Sequence, residues 1–481
     1  MKIQFVNAAL GGDFSAIDIA ITSLATYLNE RTNHSATISD LTFHRRDWKR
    51  HLAKNIESDK PDMIGISANT LYMQYIKTVV NEIKANYSIP IVLGGYHASI
   101  HPQDTMGIDG VDYVCIGDGE YVLTELLNRY SKKESMDGLA GLWAKEDGRI
   151  LKNPTGSFIE DINSLPIPDY DLWKDLDKYF YFLGMIYMIG TRGCPYRCTY
   201  CDATGISDSV RGRYYREKDP RKYAQEIALQ YRKYKKRGLR LAQLFDQVFT
   251  MNEKWLEEFC DEYRKEGLAD KFKFSAFSRI DHINEKKAKI LGKSGCALLR
   301  VGIESGDPYI RNEIYKKNIS DDEIRHIFKV CKAEGIDFTA FYMLGGPAET
   351  PETLNKTIAL ARELDAARSA FFIYKPFTED GFKQIVMHDG WIDKKRWEAA
   401  DNITFGAVVA SKKLTPRQVE YYQKKAYFWT FGKRLLRMIK RLKIRYFTRL
   451  AVYLWRGMRN GLDLSYLLIY YHIYSYDNVD K

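Results

Sequence analysis

Three cysteines crowd into eight positions of the segment GTRGCPYRCTYCDATG, at Cys194, Cys198 and Cys201, with the spacing C-x3-C-x2-C. Thiolates on one short loop after a strand can face a common centre, and three of them suit a four-iron cluster that keeps one iron free of protein ligands. The free iron is the useful part, because a small molecule can chelate it beside a low-potential reductant. A structural zinc site would want a fourth ligand. The other cysteines, Cys115, Cys260, Cys296 and Cys331, are scattered along the chain, and no histidine is near in sequence. Seven cysteines in 481 residues are too sparse and uneven for a disulfide framework, which suits a reducing compartment.

Such a loop needs a scaffold that presents it. From about residue 185 the chain alternates the apolar runs IYMIGTRG, RLAQLFDQ, FKFSAFSR, LLRVGIES, FTAFYMLGG and SAFFIYKPF with helical stretches. Six strand-helix units predict a partial (β/α)6 version of the TIM-type barrel over residues 185–385, with chemistry at the C-terminal ends of the strands. Unusual polar residues stand at those ends: Asp246 in FDQ, Ser278 and Arg279 in SAFSR, and Gly302, Glu304 and Ser305 in GIESG. A carboxylate such as Glu304 can accept hydrogen bonds from hydroxyl or ammonium groups, and Arg279 can pair with a carboxylate. A structural salt bridge is an equal reading for each. Gly345-Gly346-Pro347 reads as turn geometry.

Upstream, five strand-helix units in residues 1–135 predict an α/β, doubly wound, Rossmann-like (flavodoxin-like) parallel sheet, whose ligand would lie beyond the carboxyl ends of its strands. The loops at those ends hold Ser67 and Asn69, the Gly94-Gly95-Tyr96-His97 turn, and Gly117-Asp118-Gly119-Glu120. Residues 136–184, with the hairpin-like GLWAKEDGRILKNP and the proline-bearing LPIPDYDLW, read as a connector. Residues 386–481 read as a helical, basic region rich in Tyr and Trp.

The cysteine spacing, the aromatic Tyr200 just before the last cysteine and the strand order resemble the radical S-adenosylmethionine (SAM) superfamily over about residues 185–385. The resemblance implies that a 4Fe-4S cluster on Cys194, Cys198 and Cys201 reductively cleaves S-adenosylmethionine to a 5'-deoxyadenosyl radical. It also implies that Tyr200 packs near the adenine, and that Asp246, Ser278, Arg279, Gly302, Glu304 and Ser305 hold the S-adenosylmethionine. Related enzymes often show two acids where this chain has Asp246-Gln247. GGYHASIHPQD followed by VDYVCIGDGE resembles the cobalamin (B12)-binding domain that precedes the barrel in one subclass, over residues 1–135. That likeness implies cobalamin held by Ser67, Asn69, Gly94, Gly95, Gly117 and Gly119. The Asp-x-His-x-x-Gly motif that would supply a cobalt-ligating histidine is absent, and His97 reads as a surface residue. Methylthiotransferases of the superfamily carry three further N-terminal cysteines, where this chain has only Cys115.

The implied activity is a cobalamin-dependent methyltransferase (class B) acting on a lipid, isoprenoid or other natural-product precursor, with a flavodoxin or ferredoxin as electron donor. Two alternatives stand beside it: a cyclase, oxidoreductase or carbon-carbon coupling enzyme of the anaerobic magnesium-protoporphyrin ester cyclase type, and a non-catalytic cobalamin or iron-sulfur sensor.

The net charge of +11 is concentrated in one stretch. Residues 411–460 hold fifteen Lys or Arg against one acid, Glu420, a net +14, so the remainder is mildly acidic at −3. Cations there interleave with aromatic residues at helical spacing, as in an interfacial helix, and the uncharged run LSYLLIYYHIYSY is too short to span a bilayer. The expectation is a cytoplasmic chain with peripheral contact to the inner membrane face. No recognised RNA-binding motif accompanies the charge.

Overall fold

The computed structural model describes residues 1–11, 17–400, 405–440, 444–462, 464 and 467. Its contacts divide the chain into two units: residues 1–184 with 205–216 and the described residues from 451 onward, and residues 185–204 with 217–450.

The first unit is built on a seven-stranded sheet in the spatial order Ser35–Asp40, Lys2–Asn7, Met63–Ser67, Ile91–Gly94, Tyr113–Cys115, Leu142–Glu146, Arg149–Lys152. The first five are parallel and the last two antiparallel. Strands such as Met63–Ser67 and Ile91–Gly94 are buried on both faces, which is why they read as unbroken apolar runs. The expected flavodoxin-like order is present, and its topological switch lies between Lys2–Asn7 and Met63–Ser67. The hairpin assigned to a connector is part of this sheet: Leu142–Glu146 pairs with Tyr113–Cys115 and covers that edge. The proline-bearing stretch that follows is fastened to the same unit. The Asp169 amide donates to Thr26 Oγ1 at 2.8 Å, Trp173 Nε1 to Thr22 Oγ1 at 2.9 Å, and the Tyr179 hydroxyl to Asp40 Oδ2 at 2.9 Å.

The second unit holds six parallel strands in sequential order: Met185–Met188, Leu241–Leu244, Lys273–Ser278, Cys296–Glu304, Asp337–Leu344, Arg368–Ile373. Helices alternate with them, and local chemistry sets the starts. Asp219 caps Pro220–Tyr234, Ser320 and Glu323 form a capping box on Asp321–Ala333, and Thr350 caps Pro351–Leu364, whose first residue is proline. This is the expected six-strand partial barrel, and it places every C-terminal strand end on one rim.

Beyond it the region is not wholly helical. Gly390–Ile392 pairs antiparallel with Val409–Ser411, because VVAS carries the extended, β-branched pattern that the basic residues around it obscured. The helix Pro416–Lys440 lies along the edge strand Arg368–Ile373: Gln423 Nε2 donates to the Phe371 carbonyl at 2.7 Å, and the Phe371 amide donates to the Tyr427 hydroxyl at 3.2 Å. Its Val419 and Ala426 are fully buried, so this face of the helix is a structural cover for the sheet edge. Among the described residues no helix is long and apolar enough to cross a membrane. The run LSYLLIYYHIYSY lies almost entirely outside the described residues.

Candidate active site

The cysteine loop joins the strand Met185–Met188 to the helix Asp202–Ser209. Its leading backbone is held by Asp246, whose Oδ1 accepts from the amides of Gly190 at 2.9 Å and Thr191 at 2.5 Å, while the Tyr223 hydroxyl donates to Oδ2 at 3.2 Å. Burial pushes the Asp246 carboxyl up to about 6, with these donors pulling it back down. Gly190 is obligatory, since a Cβ there would meet the Tyr223 ring at 2.3 Å. Asp246 is therefore a buckle for the loop, a role that its place at a strand end did not reveal.

Within the loop, Cys201 N–H donates to the Cys198 carbonyl at 3.1 Å, closing a tight turn that brings the last two cysteines together. Burial raises the Cys194 thiol and pushes that of Cys201 up to about 12, and both thiols also feel the charge of Cys198. Among the described residues no three His, Cys, Asp or Glu side chains are placed to hold one metal ion. Three neighbouring thiols without a fourth fit the cluster.

Behind the loop lies a buried charged network. Tyr200 donates its hydroxyl to Glu304 Oε1 at 2.9 Å, and Lys317 Nζ donates to the same oxygen at 3.0 Å and to the Tyr200 hydroxyl at 3.2 Å. Burial, then the Glu304 charge, hold the Tyr200 phenol well above its usual range. Glu304 stands in the left-handed region at φ 65°, where the register between its strand and the next is irregular. Gly302 makes room for the ion pair: a Cβ there would fall 1.9 Å from Glu304 Oε1 and 2.8 Å from Lys317 Nζ. Lys317 had no signal in the sequence, since KKN looks like an exposed loop. Its neighbours Lys316 and Asn318 both adopt positive φ, and the turn buries the lysine between them.

Arg279 is committed on several sides. Its Nε and Nη2 donate to the two oxygens of Asp281 at 3.1 and 2.9 Å, Nη2 also donates to the Lys317 carbonyl at 2.8 Å, and Nη1 donates to Cys198 Sγ at 3.4 Å. Burial works against its charge, but Asp281 more than offsets this and raises the pKa above the ordinary arginine value. Its guanidinium lies 3.7 Å from the centre of the Tyr196 ring, whose hydroxyl bonds His282. Ser278 shares a 2.5 Å hydrogen bond with Thr250 Oγ1, and Ser305 Oγ meets Thr357 Oγ1 at 3.2 Å and accepts from the Asp307 amide. Ser278 thus ties its strand end to the turn at Thr250, and Ser305 ties its own to the helix Pro351–Leu364.

At the fifth strand end, the Glu349 Oε2 accepts from the Gly345 amide at 2.5 Å and the Gly346 amide at 2.9 Å, and burial pushes this carboxyl up to about 8. Gly346 is more than turn geometry: a Cβ there would meet the Tyr315 hydroxyl at 1.9 Å. Tyr315 in turn packs edge-on to Tyr200 at 5.4 Å, so the turn, Tyr315 and the cysteine loop form one stack.

In the first unit Ser67, Gly94 and Gly95 sit at the C-terminal ends of adjacent parallel strands, with Ser67 at the switch point. The buried Asp18 carboxyl hydrogen-bonds Ser67 and caps Ile19–Arg31, and burial raises its pKa. Asn69 spends its side chain capping the turn at Leu71. Gly95 has φ 95°, and a Cβ on Gly94 would meet Cys115 at an ordinary contact distance of 3.7 Å. Gly117 and Gly119 have packing reasons of their own: a Cβ would press on Val210 at 3.0 Å and Leu24 at 3.1 Å respectively. His97 is buried, not a surface residue. Its Nδ1 bonds Thr70 Oγ1 at 3.1 Å, and burial lowers its pKa to about 4, so the ring is neutral near pH 7.

The family models agree with this division. Residues 3–127 match the B12 binding domain and residues 188–361 the radical SAM superfamily. An uncharacterized methyltransferase of Pyrococcus horikoshii is 30% identical over 394 residues, covering 81% of each chain. The anaerobic magnesium-protoporphyrin IX monomethyl ester cyclase of Rubrivivax gelatinosus is 26% identical over 338 residues, 67% of this chain but 58% of the cyclase. Among solved structures, the radical S-adenosylmethionine methyltransferase TsrM from Kitasatospora setae, with cobalamin and a [4Fe-4S] cluster bound, has a TM-score of 0.69 at 18% identity, covering 90% of this chain and 88% of that one. A parallel barrel rim carrying a three-cysteine loop, preceded in the chain by a flavodoxin-like domain, defines a class of enzyme. This chain belongs to the radical SAM superfamily, in the subclass with an N-terminal B12-binding domain. The sensor reading falls away with that membership.

Proposed function

We propose that this chain is a cobalamin-dependent radical SAM methyltransferase acting on a small natural-product, isoprenoid or lipid-like precursor, reduced by a flavodoxin- or ferredoxin-type donor. The observation that carries methyl transfer is the relative named a methyltransferase, which matches four-fifths of both chains at 30% identity. When bound, the cluster and S-adenosylmethionine supply radical initiation, and cobalamin supplies a methyl carrier. Cys194, Cys198 and Cys201 would hold the cluster, and Ser67, Gly94 and Gly95 would border the corrin.

The chain's own residues do the positioning. Asp246 fixes the start of the cysteine loop. The Tyr200–Glu304–Lys317 network presents an aromatic face and a held carboxylate beside it, suited to an adenine ring and a ribose or ammonium donor. Glu349 and Tyr315 brace the rim behind Tyr200.

Anaerobic reconstitution with S-adenosylmethionine, dithionite and methylcobalamin tests this. Formation of both 5'-deoxyadenosine and S-adenosylhomocysteine, lost in Cys198→Ala, supports methyl transfer. 5'-Deoxyadenosine alone favours the second reading, a cyclase or oxidoreductase, which the 26% identity to the ester cyclase supports. A four-iron cluster with neither product would sink both.

The tail supports one further reading, peripheral contact with anionic membrane. On the helix Ile444–Arg459, Val452, Trp455 and Met458 are exposed along one face beside Arg456 and Arg459. Flotation with vesicles containing anionic lipid, compared for wild type and Trp455→Ser, tests it; equal flotation of the two would end it.

A further inference from the structure

Arg279 reaches the cysteine loop from the end of Lys273–Ser278, two strands away across the sheet, and donates a side-chain hydrogen bond to one of its thiols, at Cys198 Sγ. The contact is built, not incidental. Arg279 is 5% exposed and Cys198 6%. Asp281 grips the guanidinium through both oxygens, the Lys317 carbonyl takes another N–H, and the Tyr196 ring lies under its face. Tyr196 is itself in the loop, between Cys194 and Cys198, and is fixed by His282. A planar fork so restrained points one Nη1–H at a single sulfur.

We propose that Arg279 is a positioning residue for the iron-sulfur centre: it sets the orientation of Cys198 and raises the reduction potential of the cluster carried on it. This role rests on the cluster being held by the three cysteines. A guanidinium that donates to a ligand sulfur withdraws electron density from it, and a buried positive charge favours the state that holds one electron more. The step is a one-electron reduction by an external donor, with no bond made or broken and no proton leaving Arg279. Asp281 opposes the effect, because its carboxylate offsets part of the guanidinium charge. The two residues therefore set the potential in opposite directions, which a merely structural pair would not do. Four of the five N–H groups of Arg279 are committed in this way, which leaves one Nη1–H.

The test is an anaerobic potentiometric titration of the reconstituted full-length protein, followed by electron paramagnetic resonance without S-adenosylmethionine, with iron and sulfide counted per chain. Arg279→Gln, holding a full cluster, is expected to have a more negative midpoint than wild type, with Arg279→Lys between the two. Asp281→Asn is expected to move the midpoint the other way, and it decides the matter if Arg279→Gln does not retain its cluster. An unchanged midpoint in a fully loaded Arg279→Gln, or an Asp281→Asn midpoint that is unchanged or more negative, overturns the role of Arg279. A wild type that takes up no four-iron cluster would instead overturn the cluster assignment itself.

Discussion

Glu304 is held in a backbone conformation that costs a non-glycine residue free energy, and it is held there by Lys317. Both side chains are nearly buried, so each is the other's compensation for lost water. Replacing the lysine with a chain of similar shape and no charge, Lys317→Met, leaves the carboxylate facing only the Tyr200 hydroxyl. The expected loss is about 3–5 kcal/mol of stability, the range for breaking a buried pair from one side. The double variant Glu304→Gln with Lys317→Met should recover part of it, because no buried charge is left alone. Urea midpoints of the apo-protein check both, and a double variant no better than Lys317→Met would show that the pair does not act as a unit. Lys317 was not legible in the sequence because two left-handed residues turn it inward, and left-handed conformation at lysine and asparagine has no sequence signal as strong as glycine's.

The turn after the strand Asp337–Leu344 and the edge of the strand Arg368–Ile373 show how whole elements are held, and each yields a measurement. Glu349 has an ordinary pKa near 4.5, raised to about 8 by burial. Between those values the folded chain keeps a proton that the unfolded chain gives up, so stability falls as pH rises through the window and levels off above it. A tenfold change in a protonation equilibrium is worth about 1.4 kcal/mol, so the fall is large enough to measure. Glu349→Gln removes the titration while its amide oxygen can still accept from the glycine amides. Its unfolding free energy should therefore change less between about pH 5 and pH 8 than that of wild type, and parallel profiles would refute the assignment. At the sheet edge, Gln423→Ala with Tyr427→Phe removes the partners that meet the amide and carbonyl of Phe371. A cost of about 1–3 kcal/mol for each group left unsatisfied is expected, with faster hydrogen exchange at the Phe371 amide. That helix reads as interfacial in the sequence because aromatic and cationic residues alternate along it. What distinguishes it is the narrow stripe of Val419, Gln423 and Ala426, in which the glutamine's role depends on a strand edge that no local pattern announces.

At the scale of the molecule, the six barrel strands were legible because each is an apolar run ended by a polar or glycine turn, and the order of a βα series leaves few alternatives. The flavodoxin-like sheet was legible for the same reason. Its edge was not: Arg149–Lys152 is mostly exposed, so it carries no apolar stripe, and only pairing with Leu142–Glu146 makes it a strand. The stretch after it looked like a linker because proline breaks its periodicity, yet it is tied to the first unit by polar side chains. Tyr179 is one of those ties, donating to a buried Asp40 that Thr42 and Asn7 also serve, at the end of the strand Ser35–Asp40. Burial raises the Asp40 carboxyl, and the donors oppose that rise. Tyr179→Phe removes one donor and leaves the oxygen it served with less support, at an expected cost of about 1–3 kcal/mol. Because residues 136–184 cluster with the first unit, the effect should be local. Hydrogen exchange should quicken in Ser35–Asp40 and around Leu176–Phe182 while Cys296–Glu304 keeps its wild-type protection, and Lys317→Met should do the reverse. Equal acceleration in both sheets under either variant would mean that the two units open together, and the connector would then belong to neither.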